Sequence, residues 1–426
     1  MKQQTMKSIT GWAIILITLF SAYLIVHFPG FHAFFLILLL FEMVLAVRYR
    51  KIFTPVMIRS TQIILGLLFL FSGFVKAVDP LGTAYRIEDY FIAYGTEWMM
   101  PAAVFLSFVL NAAELLLGGL LLLNLKPKFT SWYLMLMMTF FTLTTINDAL
   151  NNPVPDCGCF GDALIMTNWQ TLYKNLVIDV FVLIIFLNRS RIRRTFGNTT
   201  EWTLGAVLIA LFFGFQYINY INLPMMDFRP WKTGNKMIME NPEPIRYYLT
   251  YRNVNTGETK EYLSPDYPYD DPEWLENWEF VSQRIEDPNK VPGMDLAIID
   301  FEGQDVTKAY LENPGYHFFV IAWDLMNTDR EAFQHIDRMY QKAEEADISM
   351  IVITATLKNK IERFVDQTGI SPEIPFFNAD DIVLKTMIRS NPGLMLMKDG
   401  VVVDKWHHNN LPDWDEIEDE YLNLEN

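Results

Sequence analysis

The sequence predicts a multi-domain protein in which an all-α bundle of about seven membrane-spanning helices precedes a soluble α/β domain. Hydrophobic residues make up 51% of the chain and gather in long runs before Asn222. The charge is asymmetric: 15 Lys and Arg stand against 11 Asp and Glu up to Asn222, whereas 19 stand against 39 after it. From about residue 291, short buried strands alternate with amphipathic helices. A near-neutral apolar half joined to an acidic half is typical of a membrane domain joined to a soluble one.

The helices of the bundle are predicted from apolar runs, because crossing a bilayer takes roughly 20 residues. The runs lie at about 11–28, 31–47, 60–78, 101–124, 130–148, 174–188 and 202–222. The first run resembles a signal peptide. It lacks a small-residue cleavage site and leads directly into the second run, so we expect a retained helix.

Basic residues predict the orientation of the helices, since cytoplasmic loops are enriched in Lys and Arg. A cytoplasmic N-terminus places twelve basic residues on the inside and three on the outside. Seven spans then put everything after Asn222 outside the cytoplasm. We therefore expect a multi-pass protein of the bacterial inner membrane, in contact with lipid, whose C-terminal domain is periplasmic.

Composition divides the chain into five segments. They are two N-terminal transmembrane helices (1–54), a four-helix membrane unit (55–190), a seventh transmembrane helix (191–222), an acidic connector rich in Pro, Trp and Tyr that is expected to be irregular (223–290), and the soluble α/β domain (291–426). The acidic surface of the last two segments repels phosphate backbones, which excludes nucleic acid as a partner.

Both cysteines of the chain, Cys157 and Cys159, lie in the segment DCGCFGD between the fifth and sixth predicted spans. Gly158 allows a tight turn that brings the two thiols together. A disulfide closing so small a loop stabilises by only about 1.6 kcal/mol, less any strain. Such a weak and strained bond is typical of a redox-active pair. The alternatives are a structural loop staple, two inert thiols, or half of a zinc site, for which sequence-adjacent histidines are lacking.

The segment DCGCFGD ahead of a membrane helix resembles the MauE proteins of methylamine utilisation. The stretch ILGLLFLFSGFVKAVDPLGTAYRIEDYF (64–91) is similar to the opening of the DoxX/DoxD membrane family. Together these resemblances cover roughly residues 55–190. They imply thiol–disulfide or electron-transfer chemistry at Cys157 and Cys159, with a periplasmic partner protein and a membrane quinone as the candidate cofactor.

Several polar residues within or beside the spans are further candidates. Asn111 and Glu114 share one face of the fourth span, and Asp179 lies in the sixth. Carboxyls inside a membrane are costly, so these residues are candidates for a proton path or a quinone contact, or for helix packing. Lys76 and Asp79 belong to a polar cluster at the outer mouth of the bundle. Lys76 is either an interfacial anchor or a cation that lowers a thiol pKa.

The soluble domain runs strand, helix, strand, helix, hairpin, helix, which resembles the thioredoxin fold of the TlpA and peroxiredoxin branch. Where that family carries Cys-x-x-Cys after a strand, this chain has Asp324 and Asn327. Asn391 and Pro392 occupy the position of the family's substrate-gripping proline, which implies a cis bond. The resemblance therefore implies a partner-binding cleft that is itself redox-inactive, or a fold kept only as a spacer.

Three functions follow from these residues. The first is an inner-membrane protein that supports thiol–disulfide or electron transfer through Cys157 and Cys159, with an oxidoreductase-like activity. The second is a non-catalytic assembly or scaffold factor that binds an envelope protein. The third is a proton-coupled, transporter-like bundle that uses Glu114 and Asp179.

Overall fold

The structure is a computed structural model that describes residues 2–27, 32–238, 244–286 and 295–423. The chain divides into two compact units, Met1–Phe228 and Arg229–Asn426. We refer to them as the helical unit and the C-terminal unit. The division lies within a few residues of the change in charge, because the same composition that favours lipid or water sets where the chain stops packing as a helix bundle.

The helical unit contains eight α-helices within its described residues. They are α1 (Lys2–His27), α2 (His32–Arg48), α3 (Pro55–Val78), α4 (Pro80–Ala93), α5 (Ala103–Leu123), α6 (Pro127–Asn151), α7 (Asn168–Leu187) and α8 (Asn198–Ile221). A side chain caps the first turn of both α3 and α4. Thr54 caps α3 by accepting from the backbone N–H of Met57 at 3.4 Å, and Asp79 caps α4 by accepting from that of Gly82 at 2.9 Å. In both helices proline follows the cap, where its missing N–H costs nothing.

Five helices of the described residues are long and apolar enough to cross a membrane. They are Pro55–Val78, Glu97–Leu123, Pro127–Asn151, Asn168–Leu187 and Asn198–Ile221. The apolar runs of the sequence predicted seven spans. The first two helices form, but α2 has only 17 residues and the described apolar part of α1 is limited to Ile9–Ile25. The structure thus supports a membrane protein with five candidate spans.

Helices α3 and α5 pack with glycines at their contact. A Cβ added to Gly118 would lie 2.7 Å from the backbone nitrogen of Leu70 and 2.9 Å from the carbonyl oxygen of Gly66. A Cβ added to Gly73 would lie 2.8 Å from the backbone nitrogen of Leu115. Small residues at these points let the two backbones approach closely, as is common between membrane helices. The register of α5 on α3 is therefore fixed by main-chain contact.

The C-terminal unit contains a five-stranded sheet of order β6-β5-β4-β7-β8. Its strands are β4 (His317–Ile321), β5 (Ser349–Thr354), β6 (Phe376–Asn378), β7 (Gly393–Lys398) and β8 (Val401–His407). Strands β4, β5 and β6 are parallel, whereas β7 runs antiparallel to both β4 and β8. All five residues of β4 are buried, as expected for a central strand.

A helix follows four of these strands, and the periodicity predicted three of those helices; the helix between β6 and β7 was not predicted. The four helices are α11 (Arg330–Glu345), α12 (Lys358–Thr368), α13 (Asp381–Met387) and α14 (Trp414–Ile417). Asp329 caps α11 by accepting from the backbone N–H of Ala332 at 2.8 Å. The segment LAIIDFEGQDVT (296–307) predicts two short strands joined by a Gly turn. In the structure they are reduced to single bridges of Ile299 with Asp305 and Asn378, beside the short helix α10 (Thr307–Leu311).

The segment expected to be an irregular connector contains regular structure. Strands β1 (Arg246–Asn253), β2 (Thr259–Leu263) and β3 (Trp278–Glu286) form an antiparallel sheet of order β2-β1-β3, with α9 (Pro272–Asn277) before β3. Aromatic side chains replace an aliphatic core: the Tyr251 ring lies 4.7 Å from that of Trp274. Cross-strand aromatic packing produced strands where Pro and Asp content suggested none.

Candidate functional site

The two cysteines lie on the cysteine loop (residues 152–167), which joins α6 to α7. Asn152 ends α6 in the left-handed conformation, with φ of 49°. The Asn168 amide, at the start of α7, donates to Asn152 Oδ1 at 2.8 Å and to the Val154 carbonyl at 2.9 Å. These bonds fasten the two ends of the loop together, so the thiols are carried on a short, closed segment.

Gly158 makes the turn that brings the thiols together. Its φ is +62°, a region that side chains with a Cβ rarely adopt, and its N–H donates to Asp156 Oδ1 at 2.9 Å. Asp156 also forms an ion pair with Arg86 of α4 at 2.8 Å. As a result the Sγ atoms of Cys157 and Cys159 lie 3.2 Å apart as half-buried free thiols. The sequence prediction that Gly158 brings these sulfurs together is confirmed.

The two thiols differ in acidity. The pKa of Cys159 is lowered to about 5 by its hydrogen bond with Cys157 and by the cations of Lys174 and Lys76, against the opposing effect of burial. The pKa of Cys157 is raised well above its usual value, first by its hydrogen bond to Cys159 and then by burial. Cys159 is thus the thiolate of the pair and Cys157 the protonated thiol.

A buried ion pair lies against the cysteine loop. Lys76 Nζ is 2.6 Å from Glu114 Oε1, and the two side chains are 8% and 1% exposed. The Ser72 hydroxyl lies 2.7 Å from Glu114 Oε2 and 2.8 Å from the carbonyl oxygen of Cys159. This network connects α3, α5 and the loop. It places an ammonium beside a thiolate and compensates that ammonium with a carboxylate.

A second polar pair joins α4 to α6 next to the same thiols. The Tyr90 hydroxyl donates to Asp148 Oδ2 at 2.7 Å. Burial raises the pKa of Tyr90 well above its usual range, and the charge of Cys157 adds to that shift. Asp148 is fully buried, and its Oδ1 has no hydrogen-bond partner among the described residues. Four residues of this site were not predicted from the sequence: Ser72, Tyr90, Asp148 and Lys174. The available signal was polar residues at helical spacing within apolar runs, as with Ser72 and Lys76.

The other polar candidates have separate roles. Asn111 shares the buried face of α5 with Glu114 as predicted, but its amide donates to the Lys76 carbonyl at 3.1 Å rather than to Glu114. Asp79 acts as the cap of α4. Asp179 accepts from the Thr142 hydroxyl at 2.7 Å, in a pairing between α6 and α7. Lys76 is buried in its ion pair with Glu114, so it is not an interfacial anchor.

The Glu114 carboxylate does not offer a hydrogen-bond donor to a quinone. In the ion pair the Glu114 carboxylate accepts from Lys76 and Ser72, so it has no proton to donate to a quinone carbonyl. Across the described residues, no group of three or more His, Cys, Asp and Glu side chains is placed to hold a metal ion.

The four candidates of the C-terminal unit come together at one end of the central strands β4 and β7. Ile321, the last residue of β4, is opposite Gly393, the first of β7, so the segments after β4 and before β7 are neighbours. The Asn391 amide donates to the Asp324 carbonyl at 2.8 Å, and the Asn327 amide to Asp324 Oδ2 at 2.7 Å. The Asn391–Pro392 bond is cis, as predicted. The unit contains no cysteine.

The five candidate spans and the dithiol loop define a class of polytopic membrane protein with a thiol pair between two helices. Residues 54–188 match the family model of the methylamine utilisation protein MauE, which covers less than a third of the chain. This MauE-family domain contains α3 to α7 and the cysteine loop, so the expected resemblance to MauE is confirmed. No curated protein and no solved structure matches the chain.

Gly158→Ala is expected to disturb the thiol pair. Alanine at this position would have to adopt a positive φ, and its Cβ would lie 3.0 Å from Arg86 Cγ. The native loop conformation would therefore be destabilised by about 1 kcal/mol or more. We expect the loop to shift and the reaction of Cys159 with iodoacetamide to slow, measured by mass spectrometry. Gly197→Ala is the control, because nothing lies within 4 Å of its added Cβ. Equal rates in both variants and the native chain would contradict this role for Gly158.

Proposed function

We propose that this protein is a membrane-bound thiol–disulfide exchange protein that acts on a partner protein through Cys157 and Cys159. The observation that carries the proposal is the 3.2 Å pair of free thiols held beside two lysines. A purely structural cysteine needs neither a neighbouring cation nor a lowered pKa, and thiolate character decides the rate of attack on a disulfide.

The exchange proceeds in two steps that conserve electrons. The Cys159 thiolate attacks one sulfur of the partner disulfide, forming a mixed disulfide and releasing the partner's first thiolate. Cys157 then loses its proton and attacks Cys159 Sγ, which closes the Cys157–Cys159 disulfide and releases the second thiolate. The partner gains two electrons, the pair loses two, and the Cys157 proton ends on a released thiolate. The reverse sequence oxidises a partner dithiol.

The C-terminal unit has the proposed role of binding the partner. Its sheet, with parallel β4, β5 and β6 followed by antiparallel β7 and β8, supports a thioredoxin-like fold. Without cysteines it cannot exchange disulfides itself. An extended segment of the partner would bind at the end of β4 and β7, where the four candidate residues lie: Asp324, Asn327, Asn391 and Pro392. In this proposal the unit recruits the protein on which the helical unit acts.

The location proposed for both the cysteine loop and the C-terminal unit is the periplasmic side of a bacterial inner membrane. Basic residues at helix ends support this orientation, as they are concentrated on the opposite side of the predicted spans. Five spans and seven spans give the same side for these two regions, because both numbers are odd. An oxidising compartment is also where disulfide chemistry takes place.

The double variant Cys157→Ser/Cys159→Ser is expected to abolish complementation of a strain that lacks this protein, while its membrane level stays normal. Serine preserves the size and hydrogen bonding of both side chains but cannot form a disulfide. In intact cells expressing the native chain, a membrane-impermeant maleimide should label the pair, with labelling increased by mild dithiothreitol. Full complementation by the double variant, or a pair that stays oxidised under mild reductant, would contradict the proposal.

A second candidate function is a non-catalytic assembly factor that binds an envelope protein. The cysteine-free C-terminal unit favours it, since partner binding there requires no redox chemistry. Full complementation by the double cysteine variant would support this function instead.

A further inference from the structure

We propose that Ser72 is a positioning residue that orients Cys159 for the step in which Cys157 closes the disulfide. This inference rests on the proposed exchange function and assigns a role within it to a residue of α3. Closure requires the two sulfurs to meet in a defined orientation, so its rate depends on how firmly the main chain that carries them is held. Ser72 restrains that main chain through the carbonyl oxygen of Cys159.

The hydroxyl of Ser72 lies between two acceptors. Its Oγ is 2.8 Å from the carbonyl oxygen of Cys159 and 2.7 Å from Glu114 Oε2. Both distances are those of good O–H···O hydrogen bonds, and the hydroxyl donates its single proton to one acceptor at a time. One buried side chain of α3 therefore joins the main chain of the cysteine loop to a carboxylate of α5.

The residues that support Ser72 are closely packed. Glu114 is 1% exposed and also pairs with Lys76 at 2.6 Å, so its carboxylate is held from two sides. The next residue of α3, Gly73, lies so close to α5 that an added Cβ would be 2.8 Å from the backbone nitrogen of Leu115. Because α3 is fixed against α5 at this point, the hydrogen bond of Ser72 restrains the loop rather than the helix.

A neighbouring contact places the same stretch of the loop against α3. The ring of Phe160 lies 5.7 Å from the ring of Phe71. In the chain, Phe160 directly follows Cys159 and Phe71 directly precedes Ser72. Contact between two rings tolerates small shifts, whereas a hydrogen bond weakens steeply when its angle changes. The Ser72 hydroxyl is thus the group that sets the orientation of the Cys159 carbonyl, with the rings packing beside it.

The thiols need this restraint because they must approach each other on closure. The sulfurs are 3.2 Å apart in the free pair, whereas a disulfide bond is about 2.05 Å long. Asp156, in its ion pair with Arg86, holds the loop before Cys157. Ser72 holds it at Cys159. With both sides held, a short approach of the sulfurs suffices, and without the Ser72 hydrogen bond fewer conformations of the loop are productive.

The two steps can be timed separately with one equivalent of 5,5′-dithiobis(2-nitrobenzoate) and the reduced full-length chain in detergent. Attack by Cys159 releases the first nitrothiobenzoate, and attack by Cys157 on the mixed disulfide releases the second. For Ser72→Ala we expect an unchanged first phase, because the ion pair of Lys76 and Glu114 remains. The second phase should be slower by about fivefold, the factor that corresponds to the net stabilisation by one hydrogen bond.

Ser72→Thr and Ser131→Ala are the matched controls. Ser72→Thr keeps the hydroxyl and should restore the native second phase. Ser131→Ala removes a buried hydroxyl at the other end of α6 from the cysteine loop, where it donates to the Pro127 carbonyl, and both phases should stay native.

Three results would overturn the positioning role of Ser72. They are an unchanged second phase in Ser72→Ala, equal slowing of both phases in that variant, and a second phase in Ser72→Thr as slow as that in Ser72→Ala. A native chain that releases no second nitrothiobenzoate would instead overturn the exchange function itself.

Discussion

Lys76→Met is expected to lower the free energy of unfolding of the helical unit by about 3 to 5 kcal/mol, because it leaves the buried Glu114 carboxylate without its cation. Glu114→Gln is expected to destabilise by a similar amount, since it leaves a buried ammonium unpaired. The double variant Lys76→Met/Glu114→Gln should recover most of the loss, because no uncompensated charge remains. The free energy of unfolding of all three variants is measured by titrating the purified proteins with a denaturing detergent.

The same lysine substitution at an exposed ion pair is the control. Lys342 is 54% exposed in its pair with Glu345, so Lys342→Met should cost about 0 to 1 kcal/mol. If the double variant is no more stable than either single variant, the pair is not energetically coupled. A native-like Glu114→Gln would also remove the basis for any charge-dependent role of this carboxyl, including a proton path.

The single cysteine variants are expected to separate the two thiols by role. Cys157→Ser should accumulate a mixed disulfide between Cys159 and the partner, because the attack proceeds and the closing step is lost. Cys159→Ser should form much less of this adduct, because burial still raises the pKa of Cys157 after its interaction with the Cys159 sulfur is lost. Acid quenching followed by non-reducing electrophoresis detects the adduct.

The pH dependence of alkylation gives an independent check on the same assignment. With a pKa of about 5, Cys159 is a thiolate above that pH, so its alkylation should be nearly constant from pH 8 to 6 and fall as the pH drops through about 5. Lys174→Met should move this midpoint upward, because it removes one of the two cations. An ordinary thiol profile for Cys159, or adduct formation by Cys159→Ser alone, would reverse the assignment.

Much of the fold could be predicted because local pattern determines it. The buried run at β4, the amphipathic α11 with its Asp329 cap and the hairpin of β7 and β8 all follow from residues close in sequence. The three-stranded sheet did not follow. Its strands are held by packing between aromatic rings such as Tyr251 and Trp274, and cross-strand contact is not visible in local periodicity.

The site was predictable only in part for the same reason. The proximity of Cys157 and Cys159 is local, and the shared face of Asn111 and Glu114 follows from helical spacing. The partner of Glu114 is 38 residues earlier in the chain, and the contact depends on the register between α3 and α5. The sequence therefore placed Lys76 at the end of a span, where a lysine side chain usually extends its ammonium group into water.

The glycines between α3 and α5 limit how far the Lys76–Glu114 ion pair beside the cysteine loop can move. Because Gly118 and Gly73 place one main chain directly against the other, the separation of Lys76 from Glu114 is fixed by backbone atoms rather than by adaptable side chains. The packing of the two helices therefore fixes the position of the Lys76 ammonium. A methyl group added at Gly73 or Gly118 would shift α5 relative to α3 and displace the Lys76 ammonium. That displacement would change the pKa of Cys159, which the methyl group does not contact.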